Sequence, residues 1–479
     1  MSKFVIDGPC ELSGAVLASG AKNAVLPMMA ASLMADSPCL LHNAPDLTDV
    51  LTMAKILEQL GAKVQRVDPD GSTLYLDPRP LSGHVVDEML MRQVRSSIFL
   101  MGPLLGRMGR VQVSYPGGCD IGQRPIDLHI KGLRALGASF LEEHGHIIAE
   151  RRKWEGIDIH LDIPSVGATE NVMMGACLAN GVTVIRNAAK EPEIVDLQGF
   201  LNSMGARIRG AGTDVIKIEG VRRLSGAEHT IMVDRIEVGT LMVAAAITGG
   251  DVAIPNAVAE HVQAVISKLR EVGAEVKAGG QGIRVAGRGR PKPTDLKTLP
   301  YPGFPTDMQP QMMALLSTAE GTSVITETIF DSRFKQAEEL SRMGARIRSE
   351  GRTAIIKGVP MLSGAMVEAT DLRSGASLVI AGLAAEGRTV VGGIHNLDRG
   401  YERFEEKLAS LGAGVRRVQD DEPPPSDGIP ASGTRRSLWE ERPRERAASG
   451  GEGALPSAWL SPSASLPGHS SSCAPPTST

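Results

Sequence analysis

Aromatic residues and net charge are both scarce in this sequence. Aromatic side chains make up 3% of the 479 residues, whereas glycine, alanine and methionine are plentiful. This composition favours helices that pack closely through small residues, and it argues against an aromatic-rich binding face. The formal net charge of −4 gives no basic footprint, so we expect no nucleic-acid partner.

Paired cysteines and long apolar segments are also lacking. The five cysteines are odd in number and contain no C-x-x-C pair, which argues against a disulfide framework or a zinc site and fits a reducing cytosol. No uncharged apolar run reaches the roughly 20 residues that a membrane span needs. The acidic residues Asp7 and Glu11 argue against a signal peptide. We therefore expect a cytoplasmic protein with no membrane partner.

The sequence contains a sixfold repeat. An apolar residue followed by Gly-Ala recurs six times, with successive glycines 68 to 76 residues apart, at Gly61, Gly137, Gly205, Gly273, Gly344 and Gly412. Each pattern follows a run with helical spacing and precedes a short β-like run. We predict that each glycine ends a helix in the left-handed conformation that glycine adopts without strain.

A second signature, Leu-Ser-Gly, lies between these glycines. It begins at Leu12, Leu81, Leu224 and Leu362, each time after a predicted strand. A helix rich in small residues follows about ten residues later. The repeating unit is therefore predicted to be helix, strand, helix, strand, strand.

The number of units predicts the domains, because 479 residues are too many for one ordinary core. The sixth unit lacks its last strand, and we expect residues 1–21 to supply it. Six units then split into a first domain over residues 22–232 and a second over residues 1–21 plus 233–420, joined by two crossings that suit closure on a ligand. Residues 421–479 are rich in proline, serine, glycine and arginine, which predicts a disordered tail with no identified partner.

Five of the six predicted starts of the small-residue helices carry charge at equivalent positions, four of them a cation and one an acid. These positions are occupied by Lys22-Asn23, Arg95-Ser96, Ser165-Val166-Gly167, Arg235, Asp307 and Arg373. Cations oppose the positive end of a helix dipole, so this repeated placement weakens the helices unless an anion binds there. Because repeated units put equivalent positions at equivalent places, we predict an anion site where the helix starts meet.

A glycine-rich loop carries the best candidate for a reactive side chain. Gly117, Gly118 and Gly122 surround Cys119, and Arg124 follows. A nearby cation favours thiolate over thiol, which is typical of a reactive cysteine; the alternative is a small residue that fills a turn. The ten histidines lack ligand spacing, and no H-E-x-x-H motif is present, so we expect no metal.

Six motifs, in order along the chain, resemble one known family. They are Ser19-Gly20-Ala21-Lys22-Asn23-Ala24, the segment from Pro116 to His129, Ser165-Val166-Gly167-Ala168-Thr169, Glu191-Pro192-Glu193-Ile194-Val195-Asp196, Phe304-Pro305-Thr306-Asp307-Met308-Gln309 and Asp398-Arg399-Gly400-Tyr401-Glu402. Over residues 1 to about 418 the sequence resembles the UDP-N-acetylglucosamine 1-carboxyvinyltransferase family.

This resemblance implies a fold and a reaction. The fold would be two inside-out α/β barrel domains, each of three repeats. The reaction would transfer the enolpyruvyl group of phosphoenolpyruvate to the 3′-hydroxyl of UDP-N-acetylglucosamine and release phosphate, without a metal or organic cofactor, as the first committed step of peptidoglycan synthesis. Two alternatives stay open: the shikimate-pathway enolpyruvyl transferase, which shares the fold, and a non-catalytic paralogue that binds nucleotide sugar.

The resemblance also implies how phosphoenolpyruvate is held. Lys22, Arg124 and Arg399 resemble the clamp for this substrate, and three cations suit a molecule with a phosphate and a carboxylate. Asn23 resembles a ligand to the reacting centre. Arg373, one of the cations at the helix starts, joins them as a predicted substrate contact.

Three further residues resemble the groups that move protons. Asp307 resembles the acceptor of the 3′-hydroxyl proton, with Asp371 as a candidate relay. Cys119 resembles the general acid that protonates the vinyl methylene, and in this family it can also form a covalent adduct with the substrate.

The nucleotide-sugar contacts implied by the resemblance lie mostly in the first predicted domain. They are Arg95, Arg124, Pro125, Ile126, Asp127, Leu128, Ser165, Val166, Gly167 and, in the second domain, Ile329. One branch of the family carries lysine two residues before Ser165. This sequence has Ile163 there, so that diphosphate contact is not implied.

Replacing the loop cysteine tests the role that the resemblance implies. We expect Cys119→Ala to abolish turnover at neutral pH, because no other group would protonate the methylene, while sugar-nucleotide binding persists. Phosphate release and calorimetric binding measure the two effects. Full activity in the variant would remove Cys119 as the acid.

Overall fold

The structure, a computed structural model, describes residues 2–115, 117 and 126–419. Cys119, Arg124 and Pro125 lie outside the described residues, and so do residues 420–479, which contain the predicted tail. The chain divides into two units, Met1–Trp439 and Glu440–Thr479, and all described residues belong to the first.

Thirteen α-helices lie within the described residues. They are α1 (Lys22–Ser32), α2 (Thr48–Gln59), α3 (Glu88–Gln93), α4 (Met101–Met108), α5 (Asp127–Ala135), α6 (Val166–Ala176), α7 (Pro192–Ser203), α8 (Arg235–Ile247), α9 (Gln263–Glu271), α10 (Gln309–Leu316), α11 (Gln336–Arg342), α12 (Leu372–Ala384) and α13 (Phe404–Ser410). Short 3-10 helices occupy Arg95–Leu100, Ala259–Val262, Thr306–Met308 and Ile394–Asn396.

The same residues contain 24 strands. They are β1 (Ser2–Gly8), β2 (Ser13–Ala15), β3 (Cys39–His42), β4 (Lys63–Arg66), β5 (Leu74–Asp77), β6 (Arg110–Ser114), β7 (Ala138–Glu143), β8 (His146–Arg151), β9 (Asp158–His160), β10 (Val182–Arg186), β11 (Arg207–Arg209), β12 (Val215–Glu219), β13 (Glu228–Thr230), β14 (Asp251–Ile254), β15 (Glu275–Gly279), β16 (Gly282–Ala286), β17 (Leu296–Lys297), β18 (Thr322–Thr326), β19 (Arg346–Glu350), β20 (Thr353–Lys357), β21 (Leu362–Ser363), β22 (Met366–Glu368), β23 (Ala385–Gly392) and β24 (Gly414–Gln419).

The strands of the described residues form six sheets that share one arrangement. In five sheets, three strands pair antiparallel in succession and a further strand lies parallel to the first of them, as in the order β17-β18-β20-β19. In the C-terminal sheet, two short strands, β21 and β22, take this parallel place beside β23. The sheet β6-β8-β7 has the antiparallel part, and a single parallel bridge between Val85 and Gln112 stands at the fourth position. The repeat in the sequence is therefore a repeat in the mixed α/β fold.

The first strand of the chain pairs with the last two. β1 lies between β23 and β24 and runs antiparallel to both, with Ile6 opposite Thr389 on one side and Val415 on the other. Phe4 and Ile6 are completely buried. The C-terminal sheet is therefore built around the N-terminal strand.

The six repeated glycines adopt the predicted conformation. All six have positive φ angles, between 89° and 109°, and each follows the last turn of a helix. A left-handed residue ends the helix and turns the chain toward the next strand, and only glycine reaches this region without strain. The prediction from the sequence is confirmed.

Three of the small-residue helices are buried on every side. Every residue of α8, α10 and α12 is buried, whereas the strands alternate buried with exposed positions. Close approach requires glycine at some positions, because a Cβ on Gly102 would lie 2.2 Å from the carbonyl oxygen of Asn171. The helices therefore fill the interior, and the sheets cover them.

The buried apolar side chains form two clusters. One draws on residues 21–231, and the other on residues 4–18 and 236–413. Among the described residues, no helix combines the length and the apolar character that crossing a bilayer requires.

Truncating the buried side chain at the centre of the C-terminal sheet should destabilise the protein. We expect Ile6→Ala to lower the free energy of unfolding by about 2–5 kcal/mol, because it leaves a cavity where the side chain packs against α12 near Gly382. Urea denaturation measures the change. Ile355→Ala, at a half-exposed strand position, is the matched control and should change stability by less than about 1 kcal/mol. Equal losses in both variants would contradict this account of β1.

Candidate functional site

The six positions singled out in the sequence lie at helix starts, as predicted. Each occupies the first turn of a helix or the residue before it: Lys22 in α1, Arg95 in the 3-10 helix Arg95–Leu100, Ser165 before α6, Arg235 in α8, Asp307 in the 3-10 helix Thr306–Met308, and Arg373 in α12.

Two of the predicted substrate cations share one carboxylate. Lys22 Nζ lies 2.6 Å from Asp49 Oδ2, and Arg399 Nε donates to Asp49 Oδ1 at 2.8 Å. Both cations are nearly buried, and Asp49 is 3% exposed. We call Lys22, Asp49 and Arg399 the Asp49 cluster.

The charges of this cluster depend on one another. Burial lowers the pKa of Lys22, and the nearby charges of Arg399 and Arg373 act in the same direction, while Asp49 opposes them. Burial by itself would raise the pKa of Asp49, but the pairing with Lys22 and Arg399 lowers it overall. Asp49 is therefore an ionised partner for two buried cations.

Two further arginines converge on Asp307. Arg333 Nη2 donates to Asp307 Oδ1 at 2.8 Å, and Arg373 Nη2 donates to Asp307 Oδ2 at 3.2 Å. The arginine side chains are 2% and 4% exposed, whereas that of Asp307 is 29% exposed. The partly exposed carboxylate is thus bonded to two buried guanidinium groups. We call these three residues the Asp307 cluster.

Each buried arginine of the Asp307 cluster has an N–H donor that is available for a ligand. Within the described part of the chain, Arg373 Nη1 and Arg333 Nε are buried without a hydrogen-bond partner. Buried donors normally have partners, so these two atoms mark where a bound anion could complete the hydrogen bonding.

One turn connects the two clusters. In the turn formed by residues 398–401, Arg399 reaches Asp49, while the ring of Tyr401 lies under the Arg373 guanidinium, 5.4 Å from its centroid. The Tyr401 hydroxyl accepts a hydrogen bond from Gln311 Nε2 at 3.2 Å, which fixes the ring. The charge of Arg373 also acts to lower the pKa of Lys22, which links the two clusters electrostatically.

The predicted nucleotide-sugar residues form a separate group. Ile126 precedes α5, which begins at Asp127, while Ser165 caps α6 through its hydroxyl, 3.4 Å from the Ala168 amide. A Cβ on Gly167 would lie 3.0 Å from the His129 ring, so the starts of α5 and α6 touch. Val166 and Leu128 belong to these starts, with Leu128 buried.

The 3-10 helix that begins at Arg95 joins this group. A Cβ on Gly167 would also lie 3.3 Å from the ring of Phe99. Asn171 on α6 donates to the carbonyl oxygen of Ile98 at 2.9 Å. The half-buried Arg95 therefore starts an element that packs on α6.

The remaining predicted residues occupy distinct places. Asn23 is exposed on the first turn of α1. Ile329 is 37% exposed, and its amide donates to Glu327, whose other oxygen accepts from Thr306 beside Asp307. Asp371 caps α12, because its Oδ1 accepts hydrogen bonds from the backbone amides of Arg373 and Ser374. This oxygen therefore stabilises the start of the helix.

The sequence analysis missed two members of the clusters, Asp49 and Arg333. Asp49 begins an amphipathic helix, where an acidic residue normally serves the helix dipole, so its position gave no signal of a site. Arg333 lies in a loop between β18 and α11, outside any periodic pattern. A search of the sequence for the counter-ions of the helix-start cations would have been needed to find Asp49.

A buried carboxyl group lies further along α6. Both oxygens of Glu170 lack a hydrogen-bond partner among the described residues. Burial, followed by the charges of Glu193 and Glu191, raises the pKa of Glu170 well above its ordinary value. Glu193 itself pairs with Arg235 at 2.9 Å. Burial and the neighbouring carboxylates therefore favour the protonated form of Glu170 in the folded protein.

The arrangement suits a small molecule with several negative charges. Four cations and two carboxylates lie near one turn, and the carboxylate of Asp307 is partly exposed. No group of residues suited to holding a metal ion occurs in the described part of the chain.

Comparison with known proteins gives consistent matches over most of the chain. Residues 6–408 match the family described as EPSP synthase (3-phosphoshikimate 1-carboxyvinyltransferase). UDP-N-acetylglucosamine 1-carboxyvinyltransferase 1 of Symbiobacterium thermophilum is 56% identical over 420 residues, which are 87% of this chain and 95% of the relative. The enzyme of the same name from Carboxydothermus hydrogenoformans is 54% identical over 88% of this chain and 100% of its own length.

Solved structures share the fold at lower identity. The enolpyruvyl transferase NikO from Streptomyces tendae has a TM-score of 0.78 at 24% identity and covers 87% of this chain and 99% of its own. An EPSP synthase from Acinetobacter baumannii has a TM-score of 0.68 at 20% identity, over 88% of this chain and 100% of its own.

The buried carboxyl of Glu170 predicts a pH dependence of stability. Above the ordinary glutamate pKa, about 4.3, the unfolded chain loses this proton and the folded protein keeps it. Stability therefore falls as pH rises, by up to about 1.4 kcal/mol per pH unit, until the folded carboxyl also ionises. Glu170→Gln has no such proton, so its stability relative to the natural protein should grow as the pH is raised from about 5.

Urea denaturation of both proteins at each pH measures this difference. Glu58→Gln, on the exposed face of α2, is the matched control and should show no such trend. A Glu170→Gln difference that stays constant across the range would mean that the carboxyl does not remain protonated.

Proposed function

The chain belongs to the UDP-N-acetylglucosamine 1-carboxyvinyltransferase family of enolpyruvyl transferases, and we propose that it transfers the enolpyruvyl group of phosphoenolpyruvate to the 3′-hydroxyl of UDP-N-acetylglucosamine. The observation that carries this proposal is the pair of buried clusters in which Lys22 and Arg399 meet at Asp49, and Arg333 and Arg373 meet at Asp307. These clusters put several cations beside one accessible carboxylate.

The cations are proposed to hold phosphoenolpyruvate. Lys22 and Arg399, together with Arg124, which lies outside the described residues, bind its phosphate and carboxylate through charge-assisted hydrogen bonds. Asn23, exposed beside Lys22, contacts the reacting carbon centre. The same cations stabilise the charge of the phosphate while it remains bonded to the intermediate and when it leaves.

Asp307 is proposed to accept the proton of the 3′-hydroxyl. Two buried guanidinium groups fix the direction of its carboxylate, and its partial exposure leaves it open to a substrate. As the proton moves to Asp307, the hydroxyl oxygen bonds to C2 of phosphoenolpyruvate and C3 takes a proton from Cys119. Loss of a proton from C3 and breakage of the bond between C2 and the phosphate oxygen then restore the double bond.

The group around α5 and α6 is proposed to bind the nucleotide sugar. Backbone amides at the start of α6, after Ser165, and at the start of α5, from Ile126 to Leu128, offer donors to a diphosphate or a base. Ile329, half-exposed near Asp307, contacts the sugar nucleotide from the other side. Position 163 is occupied by an exposed isoleucine. Because isoleucine carries no charge, this position supplies no cation to the diphosphate.

We propose that the fold consists of two inside-out barrels, over residues 22–232 and over residues 1–21 plus 233–420. The two apolar clusters, which change over between residues 231 and 236, support this division. The place of β1 between β23 and β24 supports the assignment of the N-terminal residues to the second domain. The site then lies where the domains meet, in an enzyme that acts in the cytoplasm at the first committed step of peptidoglycan synthesis.

The nearest alternative is the shikimate-pathway enolpyruvyl transferase, because the description of the matching family names 3-phosphoshikimate. The two proposals differ in the acceptor substrate. Identity of 54–56% to enzymes named for UDP-N-acetylglucosamine favours that acceptor. Phosphate release is measured with phosphoenolpyruvate and either acceptor. We expect release with UDP-N-acetylglucosamine; release with shikimate 3-phosphate alone would overturn the assignment, and release with neither would favour a non-catalytic protein.

Removing the carboxylate of Asp307 should slow the chemical step more than it weakens binding. We expect Asp307→Ala to reduce kcat by about 100- to 10,000-fold, the range for loss of a general base, with little change in sugar-nucleotide affinity. Single-turnover kinetics and calorimetry measure the two effects. Asp331→Ala removes an exposed acidic residue nearby that pairs with Arg352, and serves as the control. Comparable losses in kcat and binding would instead assign Asp307 a positioning role.

A further inference from the structure

Asp49 forms salt bridges with both Lys22 and Arg399. We propose that Asp49 is a positioning residue that keeps Lys22 charged and holds Lys22 and Arg399 together in the absence of substrate, so that the anion of phosphoenolpyruvate meets a preformed cationic site. This inference deepens the proposed function and rests on it.

The first argument is the distance in sequence between the two cations. Lys22 opens α1, whereas Arg399 lies in the turn of residues 398–401, near the other end of the described chain. Two nearly buried cations repel each other strongly, because water does not screen them. The carboxylate of Asp49 offsets this repulsion by bonding to both at 2.6 Å and 2.8 Å.

The second argument is that Asp49 is itself held by the turn that carries Arg399. The Thr48 amide donates to the carbonyl oxygen of Asp398 at 3.0 Å, and the Asp46 amide donates to Glu402 Oε1 at 2.9 Å. The segment before α2 and the turn are therefore joined by backbone as well as side-chain bonds. Asp49 connects this joint to Lys22.

The third argument concerns the charges that face Lys22. Asp49 faces it from α2, Arg399 from the 398–401 turn and Arg373 from α12. Asp234, at the start of α8, accepts the backbone amide of Lys22 at 3.2 Å. Asp49 is thus the carboxylate bonded to the ammonium group, and its removal would leave that group buried beside two guanidinium groups.

This arrangement gives an effect with a defined sign. Without the Asp49 charge, Lys22 would lose its proton at a lower pH, because burial and two cations would then act on it with no bonded carboxylate. Anion binding that needs protonated Lys22 would be lost as pH rises through this lowered value. Below it, binding would persist or strengthen, since Asp49 no longer competes with the anion for the two cations.

The experiment measures binding of phosphoenolpyruvate and of inorganic phosphate by calorimetry across pH, for the natural protein and Asp49→Asn. We expect the alkaline fall in affinity to move to lower pH by at least about one pH unit, a tenfold loss of affinity at fixed alkaline pH. Affinity in the variant should recover when the pH is lowered. A merely structural role would instead reduce affinity by the same factor at every pH.

Two further variants keep the test decisive if Asp49→Asn folds poorly. Asp49→Glu retains the charge and should retain the natural pH dependence. Arg399→Gln removes a repelling cation but leaves Asp49, so the alkaline fall should move to higher pH, opposite to the effect of Asp49→Asn. Asp46→Asn, at a largely exposed residue of the same segment, is the matched control and should not move it. An unshifted or equally shifted profile in all variants would overturn the proposal.

Binding is measured without the sugar nucleotide, so failure of the proposed function is recognised separately. If the natural protein binds the anions with the expected shifts but releases no phosphate with UDP-N-acetylglucosamine, the assigned reaction is wrong and the role of Asp49 in anion binding stands. If turnover occurs and the shifts do not, the reaction stands and the role of Asp49 is wrong.

Discussion

Opposite charges paired out of water are the constraint on which this site depends. Lys22 and Arg399 are nearly buried beside Asp49, and two almost fully buried arginines support Asp307. A buried ion without a partner is strongly unfavourable, so each cation is kept where a carboxylate can reach it. These pairs fix the cations before any substrate is present, and a preorganised charge stabilises a bound anion better than one that must first move.

The repeated fold brings these charges together. Each unit presents the start of a buried helix, and small residues such as Gly102 let the helices approach closely. Helix starts already favour anions through their free amides, so cations at the same places add to a field that the backbone supplies. The turn of residues 398–401 then connects the Asp49 cluster to the Asp307 cluster through Arg399 and Tyr401.

Much of the local structure could be predicted because it depends on contacts close in sequence. Glycine after a helix takes the left-handed conformation for reasons within one turn, and all six repeated glycines do so. The starts of the small-residue helices, from the first at Lys22 to the last at Arg373, were likewise predicted. Asp49 and Arg333 were not, because an acidic residue in a first helical turn and an arginine in a loop are common features with ordinary explanations.

The sequence by itself determined the repeat, the helix ends and the cations placed at helix starts, since periodicity and backbone preference act over a few residues. Only the tertiary structure decided which carboxylate neutralises which cation. Asp49 and Arg399 are 350 residues apart, and Asp307 and Arg373 are 66 apart. No local pattern carries such a pairing, because it arises when burial removes water and each charge must find a partner among the groups that folding brings near.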